Sequence, residues 1–319
     1  MVALSVQIEI AGGLSWDRWK RIVREVDQLG YRGLYICDHF LPGAGGFADS
    51  VEIMLAFGYL VEHSTRLEFG SLVSPVSFRH PVWLARDAMA LDDLSGGRMV
   101  LGVGAGWMER EHAMFGFELG DIKTRMARFA EALKVMTLLM RHEEPVNFSG
   151  RFYTLQDARL LPRSPRPGGP RLMVGGAGPK RTLPLTARYA DAWNVGPRSA
   201  EAFKESSTLL DALLVKAGRQ PSDVRRTLMH QVICYRHEFE LDGRLRHVAP
   251  QFPGLTGKAL LDALLTRSPS IIAGSPAQVI DRIQGYAAIG VQEIMIQRLD
   301  LDDLEGLHII AEDVLPHVG

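Results

Sequence analysis

Asp38 and His39 are the first residues in the chain whose types and position indicate chemistry. They directly follow an apolar run at residues 33–37, which has the composition of a strand buried on both faces. Functional groups of parallel α/β folds collect where strands end, and an imidazole titrates near neutral pH. His39 is therefore predicted to give or take a proton in catalysis. A purely structural histidine is the alternative.

Two glycine-rich segments end later apolar runs. Residues 102–107 (GVGAGW) resemble a dinucleotide fingerprint, but Trp107 stands where that pattern has its last glycine. Backbone without side chains lets a flat ring or a phosphate approach closely, whereas packing at the rim of the fold is the alternative use of these glycines. Residues 175–181 (GGAGPKR) combine free backbone N–H groups, a helix start and basic side chains. They predict a phosphate site, with a solvated tight turn as the alternative.

A regular framework has to position these groups, and the hydrophobic pattern predicts one. Eight strands are predicted at residues 3–10, 33–37, 67–73, 99–103, 171–174, 192–195, 226–235 and 293–297. Helical patterns separate them, so parallel strands with right-handed crossovers should close into a (β/α)8 TIM barrel, as one domain over residues 1–319. An open doubly wound sheet is the main alternative. Residues 143–170 and 237–269 read as irregular insertions, the first with a small hairpin at 146–153 and the second covering the pocket.

Composition excludes several classes of function. The 319 residues include 36 basic and 37 acidic side chains, so no net field attracts nucleic acid. The two cysteines, Cys37 and Cys234, lie far apart in apolar runs, which predicts reduced core thiols in a cytoplasmic protein rather than a disulfide or a metal site. No secretory signal and no apolar run of about 18 residues is present, so membrane insertion is not expected. Hydrolase motifs are also missing.

Five stretches, in this order, resemble the bacterial luciferase-like family of flavin- and deazaflavin-dependent oxidoreductases. They are GLYICDHF at 33–40, GSLVSPVSFRHP at 70–81, LDDLSGGRMVLGVGAGWMERE at 91–111, RLMVGGAGPKRTLPLTARYADAWN at 171–194 and IAGSPAQVIDRIQGYAAIG at 272–290. Each piece alone is weakly specific, but the combination is highly specific and spans nearly the whole chain. The pattern is most similar to the subgroup that uses coenzyme F-420, a deazaflavin.

The resemblance implies a barrel that binds F-420, or alternatively FMN, at the carboxyl ends of its strands. The ring would lie over Leu72, Val73 and Ser74, with a cis peptide bond between Leu72 and Val73, and Asp38 would approach it. The other implied cofactor contacts are Ala105, Gly106 and Trp107 beside the ring, and Gly175, Gly176, Ala177 and Gly178 at the phosphate.

The implied activity is hydride transfer between F-420 and a small organic substrate, with His39 in proton transfer. An FMN-dependent monooxygenase that uses reduced flavin and oxygen is the near alternative, and a flavin-binding protein without turnover is a second one. The sugar-phosphate dehydrogenases of the family share His39 but carry tryptophan at the position of Gly43 and glutamate at that of Trp107. Oxidation of glucose 6-phosphate is therefore not expected. A homodimer is implied by the resemblance alone.

Overall fold

A computed structural model describes residues 1–10, 13–43 and 45–319. Its strands are β1 (Ala3–Ile8), β2 (Gly33–Ile36), β3 (Glu68–Ser71), β4 (Ser74–Pro75), β5 (Met99–Gly104), β6 (Val146–Ser149), β7 (Thr154–Ala158), β8 (Arg171–Gly175), β9 (Ala192–Val195), β10 (Arg225–His230), β11 (Val232–Cys234), β12 (Ile272–Gly274) and β13 (Glu293–Arg298). The barrel strands are almost fully buried, as their apolar sequences require.

The helices are α1 (Trp16–Gln28), α2 (Ile53–His63), α3 (Pro81–Leu94), α4 (Glu109–Phe115), α5 (Ile122–Arg141), α6 (Thr182–Tyr189), α7 (Ala200–Lys216), α8 (Leu241–Leu245), α9 (Gly257–Arg267), α10 (Pro276–Ala288), α11 (Leu304–Asp313) and α12 (Leu315–Val318). Several begin at residues that cap the free N–H groups of a first turn. The Ser15 side chain caps α1, Asp121 caps α5 and Ser199 caps α7.

Eight parallel strands close into a barrel in the order β1, β2, β3, β5, β8, β9, β10 and β13, and β13 pairs again with β1. The predicted (β/α)8 barrel is thus confirmed, and the open sheet is wrong. Inside the barrel lies a small apolar layer made of Tyr35, Leu72, Val100, Met173, Ala192 and Met295. The main core lies between the strands and the surrounding helices.

Several predicted strands are shorter than expected, and the first ends at Ile8 rather than at residue 10. The third was predicted at 67–73, but β3 ends at Ser71, and the chain resumes pairing with β5 only through β4. The seventh was predicted at 226–235, but it divides into β10 and β11. The second piece leaves the barrel and pairs with β12. Continuous apolar composition does not distinguish a straight strand from one that changes partner.

Both insertions contain regular structure. At 143–170, β6 and β7 form a hairpin as predicted, but it covers residues 146–158 rather than 146–153, because the second strand begins only at Thr154. The prediction of an irregular segment at 237–269 is wrong, because this capping segment holds α8 and α9. Its leucines recur at helical spacing and pack into a core separate from the barrel. That core consists of Ile233, Leu241, Leu245, Val248, Leu260, Leu261, Leu264 and Ile271.

Cys37 and Cys234 are buried and are not bonded to each other. No helix among the described residues has the length and apolar character needed to span a bilayer. Within the same ranges, no group of three or more His, Cys, Asp or Glu side chains is arranged to hold a metal ion.

Candidate active site

A cavity of about 720 Å³ opens at the carboxyl ends of the barrel strands. Its lining residues are Glu9, Ile10, Cys37, His39, Leu41, Gly43, Leu72, Val73, Pro75, Gly106, Trp107, Met108, Glu111, His112, Met229, His247, Gln251, Gln297 and Leu299. Most of them follow or end a barrel strand, and two come from the capping segment. The sequence predicted a pocket at the carboxyl ends of the strands, and the structure has a cavity there.

His39 is held at this cavity by a carboxylate from the neighbouring helix α4. Its Nδ1 lies 3.0 Å from Oε2 of Glu111, whose side chain is fully buried in the first turn of α4. The other oxygen, Oε1, accepts hydrogen bonds from the backbone N–H groups of Phe40 at 2.5 Å and Leu41 at 3.2 Å. Glu111 thus fixes both the His39 ring and the backbone that follows it.

The two partners shift each other's pKa in opposite directions. Burial alone lowers the pKa of His39, but the hydrogen bond to Glu111 and its charge, with weaker effects of Glu9 and Asp38, raise it above its usual value. Burial raises the pKa of Glu111, but its bonds to His39 and to the backbone lower it overall. The site therefore favours a protonated imidazole beside an ionised carboxylate.

The remaining ring nitrogen of His39, Nε2, has no partner among the described residues. Trp107 packs edge-on against the same ring, with ring centroids 5.7 Å apart and planes at 79°. Trp107 is 62% exposed, so it forms part of the rim rather than the core. Nε2 is consequently the atom through which His39 can exchange a proton with a ligand.

Asp38 is placed differently from its neighbour. Its buried carboxylate accepts two hydrogen bonds from Arg79, at 2.5 and 3.0 Å, and Arg79 also donates to Glu52 at 2.7 Å. Asp38 lines a separate cavity of about 520 Å³, which His39 also borders. The structure therefore brings Asp38 to Arg79, and among the predicted pair only His39 reaches the main cavity.

The floor of the main cavity is formed by Leu72 and Val73, and the peptide bond between them is cis, as the resemblance predicts. The side chain of Val73 occupies the space beside two glycines. A Cβ atom on Gly104 would lie 2.8 Å from Val73 Cγ2, and one on Gly175 would lie 3.0 Å from Cγ1. Gly104 therefore serves packing, which was the alternative interpretation of residues 102–107.

The rest of that glycine segment and Ser74 are tightly enclosed. Gly106 has a φ of +86°, which favours glycine, and a Cβ there would collide with Ser77 Oγ. Ala105 is half-buried beside it. Ser74 is buried and does not line the main cavity, and its Oγ has no hydrogen-bond partner. Of the residues predicted to flank a ring, Gly106 and Trp107 line the cavity directly.

The second glycine segment begins against the cavity floor and runs outward. Gly176 donates to Asn194 O at 2.9 Å and accepts from Trp193 Nε1 at 2.7 Å, which anchors the loop to β9. Within the described chain, the N–H groups of Ala177 and Gly178 have no acceptor, and no side chain caps the start of α6. These free donors can hold a phosphate.

Several residues of this site were not predicted. Glu9 lies at the rim after β1, and its Oε1 accepts from Gln7 Nε2 and Gln297 Nε2, both at 3.1 Å. His112 contacts Met108 O through Nδ1 at 2.8 Å. Other lining residues with polar side chains that were not predicted are Glu111, His247, Gln251 and Gln297. Position at a strand end could have identified Glu9, because all such ends open on one side.

Curated relatives match almost the whole chain. An F-420-dependent glucose-6-phosphate dehydrogenase of Amycolatopsis mediterranei (strain U-32) is 27% identical over 316 residues, covering 91% of each chain. A 4-hydroxyprotoasukamycin monooxygenase of Streptomyces nodosus subsp. asukaensis is 28% identical over 320 residues, covering 92% of this chain and 84% of the relative.

Solved structures have the same fold. An F-420-dependent secondary alcohol dehydrogenase, in complex with an F-420–acetone adduct, superposes with a TM-score of 0.82 at 20% identity, covering 100% of this chain and 99% of that one. The oxygenating constituent of 3,6-diketocamphane monooxygenase from Pseudomonas putida, in complex with FMN, gives 0.75 at 18% identity, with the same coverage. The family described as luciferase-like monooxygenase matches residues 2–293. The chain therefore belongs to the luciferase-like monooxygenase family, whose enzymes are flavin- or deazaflavin-dependent oxidoreductases.

Proposed function

We propose that the protein is an F-420-dependent oxidoreductase that transfers a hydride between the deazaflavin and a small organic substrate. The observation that carries this proposal is His39, held through Nδ1 by buried Glu111 and free at Nε2, at the edge of a cavity with an apolar floor. The deazaflavin, when bound, supplies the hydride donor or acceptor. Relatives named as F-420-dependent support this choice of cofactor.

The residues that would hold the cofactor fit a flat ring with a phosphate. Leu72 and Val73 offer an apolar surface at the floor of the cavity, with the backbone of Ser74 directly following. The Ala105-Gly106-Trp107 segment would flank the ring, and Asp38 would act only through its neighbour His39. The free N–H groups of Ala177 and Gly178 and the start of α6 would receive the phosphate, whereas Gly175 belongs to strand β8 and the N–H of Gly176 is taken by Asn194.

The protein's own part in the reaction is to manage a proton and exclude water. His39 exchanges the proton of a substrate hydroxyl or carbonyl through Nε2, while Glu111 fixes the ring and balances its charge. Trp107 at the rim and the capping segment above it limit the access of solvent to this exchange.

A monooxygenase is the second candidate, because the monooxygenase of Streptomyces nodosus is as similar to this chain as the dehydrogenases are. In that case the ring would belong to FMN and oxygen would be the second substrate. The cavity floor and the free N–H groups suit either cofactor, so the difference has to be measured.

Titration of the purified protein with F-420, FMN and FAD, followed by ligand fluorescence, tests the proposal. We expect tight binding of F-420 and binding of FMN that is weaker by about 100-fold or more. Tight FMN binding without F-420 binding contradicts the proposal and favours the monooxygenase. A Gly58→Ala protein, altered in α2 away from the cavity, is a suitable binding control.

We further propose that residues 1–319 act as one domain and that the protein is a homodimer. Large apolar side chains on neighbouring helices α2 and α3 are exposed, including Leu55 at 65%, Trp83 at 59% and Leu94 at 67%. Such side chains are typical of protein interfaces. Sedimentation should give twice the chain mass of 35.3 kDa, and a monomer would contradict the dimer.

A further inference from the structure

The charges in the main cavity limit which substrates it can take. Among its described lining residues there is no lysine and no arginine, while two carboxylates, Glu9 and Glu111, are present. The three residues outside the described ranges, Ala11, Gly12 and Ala44, carry no charge. An anionic substrate would therefore find no lysine or arginine in this cavity, because the positive charge of His39 is already balanced by Glu111 and Glu9 adds a further carboxylate.

Three arginines that are bonded to residues of this rim do not line the cavity and are already engaged. Arg79 is paired with Asp38, and Arg125 Nη1 donates to the carbonyl of Gly106 at 3.1 Å. Arg267 Nη1 donates to Gln251 Oε1 at 3.0 Å. None of the three lines the cavity. Redirecting any of them to an anion would leave a hydrogen-bonding partner unsatisfied.

Two further arginines line a different cavity, of about 670 Å³, and are also engaged. Arg282 Nη2 donates to the carbonyls of Pro269 and Ile271 at 3.3 and 3.2 Å. Arg198 Nη1 donates to Ser206 Oγ at 3.0 Å. Glu201 and Asp281 line the same space and balance the positive charge.

The walls of the main cavity are mostly apolar. Its apolar side chains include those of Ile10, Leu41, Met108, Met229 and Leu299. Glu9 after β1, His39 after β2 and Gln297 on β13 supply polar contacts. Burying an unpaired anion against such walls costs far more than burying a neutral molecule with one oxygen.

We infer that the substrate is an uncharged, largely apolar alcohol, or the ketone or aldehyde formed from it, rather than a phosphorylated or carboxylated compound. This inference rests on the proposed function. In the oxidation direction the carbinol C–H bond breaks and its hydride goes to oxidised F-420. The O–H bond also breaks, its proton passes to His39 Nε2 and then to solvent, and a C=O double bond forms.

A matched pair of ligands tests the substrate class. 2-Heptanol and 6-hydroxyheptanoate have the same carbinol and the same number of carbons, but only the second carries a carboxylate. We expect kcat/KM for F-420 reduction to be at least about 100-fold lower with the acid. Glucose 6-phosphate should be no better than the acid. Equal or faster turnover of the acid or of the sugar phosphate overturns the inference.

A second readout does not depend on turnover. Thermal unfolding of the protein without cofactor should show a higher Tm with 2-heptanol or 2-heptanone and no change with 6-hydroxyheptanoate. If these neutral ligands bind but F-420 does not, the proposed function fails and the substrate class stands. If F-420 binds and only the acid is oxidised, the substrate class fails and the function stands. No shift and no turnover with either neutral ligand also counts against the inference.

A third experiment removes the charge at Glu9. Glu9→Gln keeps an oxygen acceptor for Gln7 and Gln297 but removes a negative charge from the cavity. We expect the discrimination against 6-hydroxyheptanoate to fall by about 10-fold. Glu62→Gln, on the exposed face of α2, should leave it unchanged. Unaltered discrimination in the Glu9 variant would show that cavity charge does not select the substrate.

Discussion

The two ends of the barrel differ in the partners of their carboxylates. At the amino end, Glu68 pairs with Arg32 at 3.0 Å, with Arg225 at 3.0 Å and with Arg171. Glu293 accepts from Ser5 Oγ at 2.5 Å and pairs with Arg225 at 3.3 Å. This amino-end cluster closes the bottom of the barrel. At the carboxyl end, Glu9 and Glu111 instead face a cavity that has no guanidinium among its described lining residues.

The difference indicates which charges stabilise the fold and which are available for chemistry. Burial raises the pKa of Glu68, but the charges of Arg225, Arg32 and Arg171 outweigh it and lower the pKa to about 2. That carboxylate is fixed in one charge state over the physiological range. At the other end the pKa of His39 is raised, so the imidazole can change its charge near neutral pH.

Replacing His39 by Gln should have the largest effect on activity. Loss of the proton-exchanging group is expected to lower kcat/KM by about 10²- to 10⁴-fold, with F-420 affinity nearly unchanged. Steady-state F-420 reduction and fluorescence titration measure the two quantities. His142→Gln, at the exposed end of α5, is the matched control. Unchanged turnover in the His39 variant would exclude a catalytic role.

Replacing Glu68 by Gln tests the amino-end cluster. The free energy of unfolding should fall by about 3 kcal/mol, because the largely buried Arg225 and the more exposed Arg32 and Arg171 lose their counter-ion, while turnover per folded molecule is kept. The stabilising effect of Glu68 is present above pH 4.5 and is lost as pH falls towards 2, so the difference from wild type should shrink there. Urea unfolding measures it.

The control for that measurement is Asp302→Asn. Asp302 pairs with Arg18 and Arg21 at 2.6 and 2.7 Å, but its side chain is 43% exposed. Its loss should cost no more than about 1 kcal/mol. If the two variants are equally stable, the amino-end cluster is not a special source of stability.

Adding a methyl group at Gly104 should disturb the cavity floor. In Gly104→Ala the new Cβ would lie 2.8 Å from Val73 Cγ2, so Val73 has to move. We expect F-420 binding to weaken by about 10-fold and stability to fall by about 1–2 kcal/mol. Gly58→Ala meets no atom within 4 Å and should be neutral or slightly stabilising. Unchanged F-420 affinity in the first variant would separate the floor from the cofactor site.

Glu111→Gln should have the smallest effect, a change in pH dependence. Removing the carboxylate lowers the pKa of His39, so a rate that requires neutral His39 should reach its plateau at a lower pH than in wild type. In wild type the stabilisation from the raised pKa is present below pH 6.5 and is lost as pH rises through the native pKa. Glu109→Gln, exposed on the same helix, should leave the pH profile in place.

Much of the fold could be predicted from local pattern, because each strand–helix unit has its own periodicity and turn residues. Residues 237–269 could not be read in the same way. Polar residues and prolines flank two short helices, α8 and α9, and interrupt the helical pattern of the sequence. The two helices are stabilised by contacts with one another. The partner change at β11 likewise depends on β12, about forty residues further along the chain.

A site residue could be predicted when its position at the end of a strand brings it to the cavity. It could not be predicted when a contact between segments distant in sequence brings it there. His39 was predicted because it lies just after the end of a strand. Glu111 could not be predicted in this way, because it lies in the first turn of α4 and its partner His39 lies 72 residues earlier. The sequence indicated that the backbone at Gly104 is open to a flat ring. In the structure the side chain of Val73 fills that space, and the amino-acid composition does not reveal the backbone path that brings Val73 there.

The separate core of the capping segment has a consequence for the evolution of the protein. Its leucines pack on each other rather than on the barrel, while His247 and Gln251 project from the same segment into the cavity lining. Substitutions there can reshape the ceiling over the substrate without weakening the barrel or its cofactor loops. Mutations in the capping segment can therefore change the substrate range while the stability of the barrel is kept.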